Sequence, residues 1–177
     1  NATDQMTVSG RVAYDFASRV RALYHPTSEP KGVHNTTFNT GFNGTADPTV
    51  SSYDVLDRPI QVTTPDGNTA TTSYWLASDN GALRFFSETV DTESNARRLV
   101  SDVQGQMVME REYNSGTPVT SRYSYDPLGQ LLSMTDNAGN QTTVTYDVAG
   151  RQLSINNPDT GLVTFTYDAA SNLTSKQ

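Results

Sequence analysis

A tyrosine-aspartate pair recurs along this chain of 177 residues at a fixed interval. The pair begins at Tyr125, Tyr146 and Tyr167, each 21 residues after the one before, and the pair at Tyr53 is followed by Tyr74 at the same distance. Self-similarity at a period of this length is typical of a repeat architecture, in which each unit buries its apolar face only against its neighbours. The interval therefore constrains the fold more strongly than any other feature of the sequence.

Each unit has the same internal order. A turn residue stands four positions after the tyrosine, a polar residue follows it, and a short alternating strand comes next, as in Leu153-Ser154-Ile155. A second turn, such as Pro65-Asp66-Gly67, and a second alternating strand lead into the next unit. Alternation with a period of two predicts half-buried strands, and Pro, Asp and Gly suit the backbone of tight turns. The residues at the fourth position are Ser18, Asp57, Gly105, Gly129, Gly150 and Ser171.

These units predict an all-β fold. An isolated hairpin is only marginally stable in water, so each hairpin must pair its edge with the next one. The predicted fold is a series of consecutive antiparallel β-hairpin repeats forming one extended, curved sheet, with residues 1–177 as a single array. Regular repeats are expected over residues 50–74 and 101–177. An irregular loop is predicted over residues 25–48, and a degenerate hairpin over residues 75–100.

The aspartate of each pair has two possible roles. A ladder of carboxylates could bind Ca²⁺ or perform acid-base chemistry, but a calcium site needs several oxygens at one point, and a ladder along a sheet does not converge. We interpret each aspartate as a turn cap that accepts backbone N–H groups, and we expect the tyrosines to stack across neighbouring hairpins. The residues that mark the repeat, all with a predicted structural role, are Tyr14, Asp15, Tyr53, Asp54, Arg58, Asp102, Gly105, Tyr125, Asp126, Gly129, Tyr146, Asp147, Gly150, Arg151, Tyr167 and Asp168.

Composition argues against several classes of function. The 19 acidic and 12 basic side chains give a net charge of -7, which repels phosphate backbones and anionic lipid heads, so binding to nucleic acid or to a membrane surface is not expected. No apolar stretch approaches the roughly 18–20 residues of a membrane helix, so membrane insertion is not expected either. The chain has no cysteine, which excludes disulfides and thiolate metal sites. We interpret the two histidines, His25 and His34, as solvated loop residues rather than metal ligands. We therefore expect no cofactor, no metal and no catalytic residues.

Two aromatic residues leave a second function open. Tyr74 and Trp75 lie where the regular pattern is lost, and Trp75, the only tryptophan, occupies the position in which aspartate follows tyrosine elsewhere. Exposed aromatic rings could form a platform for carbohydrate, which would make the chain an adhesion or carbohydrate-binding module. Regular aromatic spacing fits packing between hairpins better, so we keep these two residues as possible ligand-facing aromatics.

The motif Tyr-Asp-x-x-Gly-Arg at residues 146–151, and its variants at residues 125–130 and 53–58, resembles the RHS or YD repeat. The resemblance covers most of residues 50–177 and extends faintly to residues 10–24. Residues 100–106 and 125–132 also resemble the repeat region of toxin-complex B components and their SpvB-like relatives. This resemblance implies that the sheet is a segment of a larger hollow β-shell, which encloses a toxin polypeptide until delivery.

The same resemblance implies what the chain lacks. Self-cleaving members of the family carry a core segment with a catalytic acidic residue after the repeats, and no such segment or toxin domain is recognisable here. We therefore expect part of a wall, from a longer exported bacterial protein that is secreted or displayed at the cell surface. Its expected partners are further repeats of the same protein and the enclosed toxin polypeptide. Exposed edge strands also predict edge-to-edge self-association, or a terminal hairpin that caps the sheet.

Overall fold

The structure is a computed structural model, and it describes residues 5–30, 47–114 and 116–177. In these ranges the chain forms β-strands joined by turns, and no helix is present. No helix that could span a membrane was found among the same residues. The strands are β1 (Gln5–Val8), β2 (Val12–Tyr14), β3 (Val20–Leu23), β4 (Thr27–Pro30), β5 (Thr49–Tyr53), β6 (Pro59–Thr63), β7 (Thr69–Asp79), β8 (Ala82–Val90), β9 (Ala96–Ser101), β10 (Met107–Tyr113), β11 (Val119–Tyr125), β12 (Leu131–Thr135), β13 (Gln141–Tyr146), β14 (Gln152–Asn157), β15 (Gly161–Tyr167) and β16 (Leu173–Lys176).

The strands are joined mainly to their neighbours in sequence. Strands β2, β3 and β5 to β16 form a 14-stranded sheet in which chain order is also spatial order, while β1 pairs with β4 in a separate two-stranded sheet. The hairpins from β9 to β16 are all antiparallel. The predicted all-β class and the succession of antiparallel hairpins are therefore confirmed.

The chain divides into two compact units. The first consists of residues 1–73 and 89–94, and among its described residues Ala22 is the buried apolar one. The second consists of residues 74–88 and 95–177, and its main core is a cluster of Phe86, Val100 and Met109. Trp75, Ala77 and Val108 are partly buried and pack against that cluster.

The structure describes one of the two regions predicted to be irregular in full and the other only in part. Over residues 75–100, β7 and β8 form a hairpin with a two-residue turn at Asn80-Gly81, where both residues have positive φ angles of 50° and 79°. Asn-Gly favours this turn because both residues tolerate a left-handed backbone. Of residues 25–48, the predicted loop, the structure describes only 25–30 and 47–48, and β4 begins at Thr27. His34 lies outside the described residues.

Candidate functional site

The six turns that begin at the repeat aspartates share one hydrogen-bond pattern. In each, Oδ1 of the aspartate accepts the backbone N–H groups of the second and fourth residues after it, at distances of 2.8–3.0 Å. The N–H of the third residue donates to the backbone carbonyl of the aspartate. This geometry supports the interpretation of the aspartates as turn caps. The capping residues are Asp15, Asp54, Asp102, Asp126, Asp147 and Asp168.

The third residue of each turn has a left-handed backbone. Its φ angle is 62–67° where the residue is Ser or Asp and 81–86° where it is Gly. Glycine suits this conformation because it has no Cβ, and short polar residues tolerate it better than other side chains do. In five of the six turns the tyrosine just before the aspartate lies at a register shift, as at Tyr146, which is opposite Gln152 while Thr145 is opposite Ser154. The turn thus places the tyrosine at a bulge beside the end of the sheet.

The tyrosine hydroxyl reaches back to the preceding repeat. Tyr146 donates to the backbone carbonyl of Leu131 at 3.1 Å, and Tyr167 donates to that of Gln152 at 2.8 Å. The pairing of β12 with β13 begins at Ser133, and the pairing of β14 with β15 begins at Ser154. Each acceptor carbonyl therefore lies two residues outside the paired segment. Each hydroxyl therefore provides a hydrogen-bond donor to a carbonyl that lies outside the backbone pairing of the two strands. Tyr53 and Tyr125 make the same contact with Val20 and Met107.

The polar residue after the left-handed position reaches forward to the next repeat. Nη1 of Arg151 donates to the carbonyl of Asp168 at 3.3 Å and to Oγ of Ser171 at 3.2 Å. Its guanidinium also lies over the ring of Tyr167, 4.9 Å from the centroid. In the other unit, Arg19 makes the equivalent contacts with the turn at Asp54.

Glutamine replaces arginine in two of the turns, and its side chain also extends toward the next turn. A Cβ built on Gly129 would lie 2.8 Å from Nε2 of Gln106, and one built on Gly150 would lie 2.9 Å from Nε2 of Gln130. Glycine suits these two positions because of their positive φ angles, and its lack of a Cβ leaves room for the end of the glutamine side chain from the preceding repeat. Consecutive turns are linked in both directions, by a hydroxyl reaching back and a long polar side chain reaching forward.

Electrostatics strengthens the turn caps. The pKa of Asp147 lies below its usual range, chiefly because the backbone N–H of Arg151 donates to the carboxylate, with burial opposing and the Arg151 guanidinium adding to the effect. The pKa of Asp168 is lowered by the side-chain amide of Asn172 and then by its backbone N–H. Arg58 supplies a similar contact in its own turn, with Nε 2.7 Å from Oδ2 of Asp54. Hydrogen bonds therefore favour the charged form of the Asp147 and Asp168 carboxylates.

The sequence predicted stacking of the tyrosines across hairpins, whereas two other ring pairs are stacked in the described structure. Trp75 stacks on Phe86 with centroids 5.2 Å apart, and Tyr74 stacks on Phe85 with centroids 6.0 Å apart. Trp75 is also covered by the Arg98 guanidinium at 5.4 Å and packs against the core cluster. These contacts favour a packing role for Trp75 over a ligand platform.

The remaining candidate residues do not converge. His25 contacts Oγ1 of Thr49 through Nε2 at 3.1 Å. Within residues 5–30, 47–114 and 116–177, no group of three or more His, Asp or Glu side chains could hold a metal ion. Sequence reasoning identified the capping aspartates and the turn residues four positions after each tyrosine. It missed the hydroxyl contacts and the forward reach of Arg19, Gln106, Gln130 and Arg151. The polar residue at a constant offset from each tyrosine was the available signal.

Comparison with known proteins gives one match to a family model. The model for the RHS repeat matches residues 125–162 and 146–177, which contain the hairpins with capping aspartates at 126, 147 and 168. The matched residues cover less than half of the chain. No curated protein matches it.

Solved structures with the same fold come from toxin complexes. The chain resembles a chain of the Photorhabdus luminescens Tc holotoxin pore, with 18% identity over 97% of this chain and 10% of that one, at a TM-score of 0.50. It also resembles the crystal structures of TcdB2-TccC3 and TcdB2-TccC3-Cdc42, each with 18% identity over 98% of this chain and 10% of that one, at a TM-score of 0.55. At this identity the likeness concerns the fold. This chain spans about a tenth of the length of the chains it matches.

Proposed function

We propose that this chain, whose residues 125–177 match the family model for the RHS repeat, is a structural segment of the hollow β-shell of an exported protein, and that the shell encloses a toxin polypeptide for delivery. Its partners in that role are further repeats of the same protein and the enclosed polypeptide. The mechanism is steric, because a continuous sheet separates its contents from proteases and solvent. The role requires neither a cofactor nor a catalytic residue.

The linkage between consecutive turns is the observation that carries this proposal. Arg151 and Tyr167 join two neighbouring repeats through contacts that do not involve the strand ladder. Because each repeat presents the same groups, the array can be extended by any number of further repeats, as in other repeat architectures. The length of the matched chains in the toxin complexes supports an array of that kind. On this view residues 1–177 are one array despite the division into two units.

The test measures protease protection in the longer protein that contains this chain. We expect the polypeptide enclosed by the repeats to resist a protease that digests the same polypeptide when it is expressed alone. The double variant Arg151→Met with Tyr167→Phe removes the forward and backward links at one point of the wall. It should speed digestion of the enclosed polypeptide at unchanged protease concentration.

Val148→Ser is the matched control, because Val148 is fully exposed at the tip of the turn between Asp147 and Gly150. It should leave protection intact. If the enclosed polypeptide were digested as fast within the longer protein as it is when expressed alone, the chain would not form an enclosing wall. Binding of a glycan by the folded chain, lost on Tyr74→Ala, would instead favour the adhesion module.

A further inference from the structure

Consecutive aspartate-capped turns meet through two residues, which are the polar side chain that reaches forward from one turn and the left-handed residue of the next. The part of the chain that the structure describes contains four such contacts, one in the first unit and three in the second. The pairs are Arg19 with Asp57, Gln106 with Gly129, Gln130 with Gly150, and Arg151 with Ser171. In these four contacts arginine faces a residue with an oxygen-bearing side chain, and glutamine faces glycine.

The arginine pairs use the side chain of the left-handed residue as an acceptor. Nη1 of Arg151 lies 3.2 Å from Oγ of Ser171, and Nη1 of Arg19 lies 2.7 Å from Oδ1 of Asp57. Nε of each arginine also donates to the aspartate of its own turn, at 2.6 Å and 2.7 Å respectively. One guanidinium can join two turns in this way because it carries five N–H donors in a fixed planar arrangement.

The glutamine pairs use the space that glycine leaves empty. Nε2 of Gln106 lies 2.8 Å from the position that a Cβ would take on Gly129, and Nε2 of Gln130 lies 2.9 Å from the same position on Gly150. A side chain at either glycine would therefore push the amide away from the turn. Gly105 provides a comparison, because the turn before it is the Asn80-Gly81 turn and nothing lies within 4 Å of a Cβ built there. The close approach is thus found where a glutamine precedes the glycine.

We infer that these two residues form a matched pair that determines which repeat fits against which. A repeat with arginine at the forward position fits a neighbour with Ser or Asp at the left-handed position, and a repeat with glutamine fits a neighbour with glycine. Specificity of this kind is the difference in free energy between matched and mismatched pairs. Glutamine facing serine is displaced from the turn, and arginine facing glycine loses one acceptor. The inference deepens the proposed function by assigning the order of repeats to these residues, and it holds whether or not the array encloses a polypeptide.

A double-mutant cycle at Gln130 and Gly150 tests the pair. Gln130→Arg, Gly150→Ser and the two changes combined are compared with the natural chain by urea unfolding, followed by the fluorescence of Trp75 in the same unit. The strain of a serine at a φ angle of 81° is present with either partner, and so is any contact of the new arginine with its own turn, so both cancel in the cycle. The unfolding equilibrium constant of the combined variant should be at least about two-fold lower than the product of the single effects.

Gln130→Arg combined with Gly105→Ser is the matched control cycle, because Gly105 has a φ angle of 83° and open space around a Cβ. Its two effects should multiply without coupling. The reverse cycle, Arg151→Gln with Ser171→Gly, should show the same coupling in favour of the matched pairs. Its second change places glycine at a left-handed position with a φ angle of 67°, so this cycle remains measurable if Gly150→Ser prevents folding.

The inference is overturned if the coupling in either measured cycle is no larger than in the control cycle, or if a combined variant is less stable than its single effects predict. Neither result changes the expected protease protection of an enclosed polypeptide. Loss of that protection with coupling intact would contradict the proposed function alone.

Discussion

The β7–β8 hairpin lacks the Tyr-Asp mark and contributes Phe86 to the core cluster of its unit, whereas the hairpins from β11 to β16 keep the mark and bury few side chains. Val100 and Met109, which pack with Phe86, are 0% and 4% exposed. From β11 to β16, the buried side chains are Thr142 and Val144. The strands differ as well, since β7 has 11 residues and β8 has 9, while β11 to β16 have 4 to 7.

This difference shows two ways of stabilising one sheet. The marked hairpins depend on hydrogen bonds at the end of the sheet, where each turn contacts the next one. Their turn tips are apolar but exposed, as with Leu128, which is 82% exposed, and so contribute little burial. The unmarked hairpin lacks the aspartate-capped turn and packs apolar side chains into the core cluster instead. The comparison predicts that substitutions of core residues lower the free energy of unfolding most near β8. In the repeats, the substitutions that lower it should be those in the turns.

The largest loss of unfolding free energy is expected from Phe86→Ala. It removes a buried ring that stacks on Trp75 and packs against Val100, and such truncations cost about 3–5 kcal/mol of unfolding free energy. Denaturant unfolding followed by Trp75 fluorescence measures the loss. Leu83→Ala on the same strand is the control, because Leu83 is exposed, and it should change stability far less. Equal losses for the two variants would show that the cluster is not the main support of this hairpin.

A smaller effect is expected in the repeats from Tyr146→Phe. The change keeps the ring but leaves the carbonyl of Leu131 without its donor, and loss of one such hydrogen bond costs about 0.5–1.5 kcal/mol. Tyr123→Phe on strand β11 is the matched control, because no hydrogen bond of its hydroxyl is found in the described part of the chain. Unfolding in urea should separate the two variants. An effect of Tyr123→Phe as large as that of Tyr146→Phe would refute the role of the backward link.

The turns were predictable from sequence because their determinants are local. Asp147 caps groups that lie within four residues of it, and Gly150 is recognisable as a left-handed position from its place in the motif. The links between repeats were not predictable, because the reach of Gln130 depends on where the next turn lies in space. The pairing of β1 with β4 joins segments that are distant in the chain, and no sequence pattern indicates it.

The smallest predicted effect is a loss of stability at acidic pH, and it again distinguishes the two regions. The pKa of Asp147 is lowered in the folded chain, first by the backbone N–H of Arg151, whereas an unfolded aspartate titrates near about 3.9. A lowered folded pKa means that the stabilisation is complete above the unfolded pKa and is lost as the pH falls through the folded pKa. Stability of the natural chain should therefore fall on acidification below about pH 4–5.

Asp147→Asn tests this dependence, because the amide oxygen can still accept the two backbone N–H groups while the titrating charge is lost. Urea midpoints measured from pH 7 to pH 2 should decline less steeply for Asp147→Asn than for the natural chain, by less than one proton equivalent in the linkage slope. Val148→Ser, adjacent in the same turn and without a titrating group, should keep the natural slope. If Phe86→Ala altered the acid slope as much as Asp147→Asn does, acid sensitivity would reside in the core rather than in the turn caps, and the two regions would not be stabilised independently.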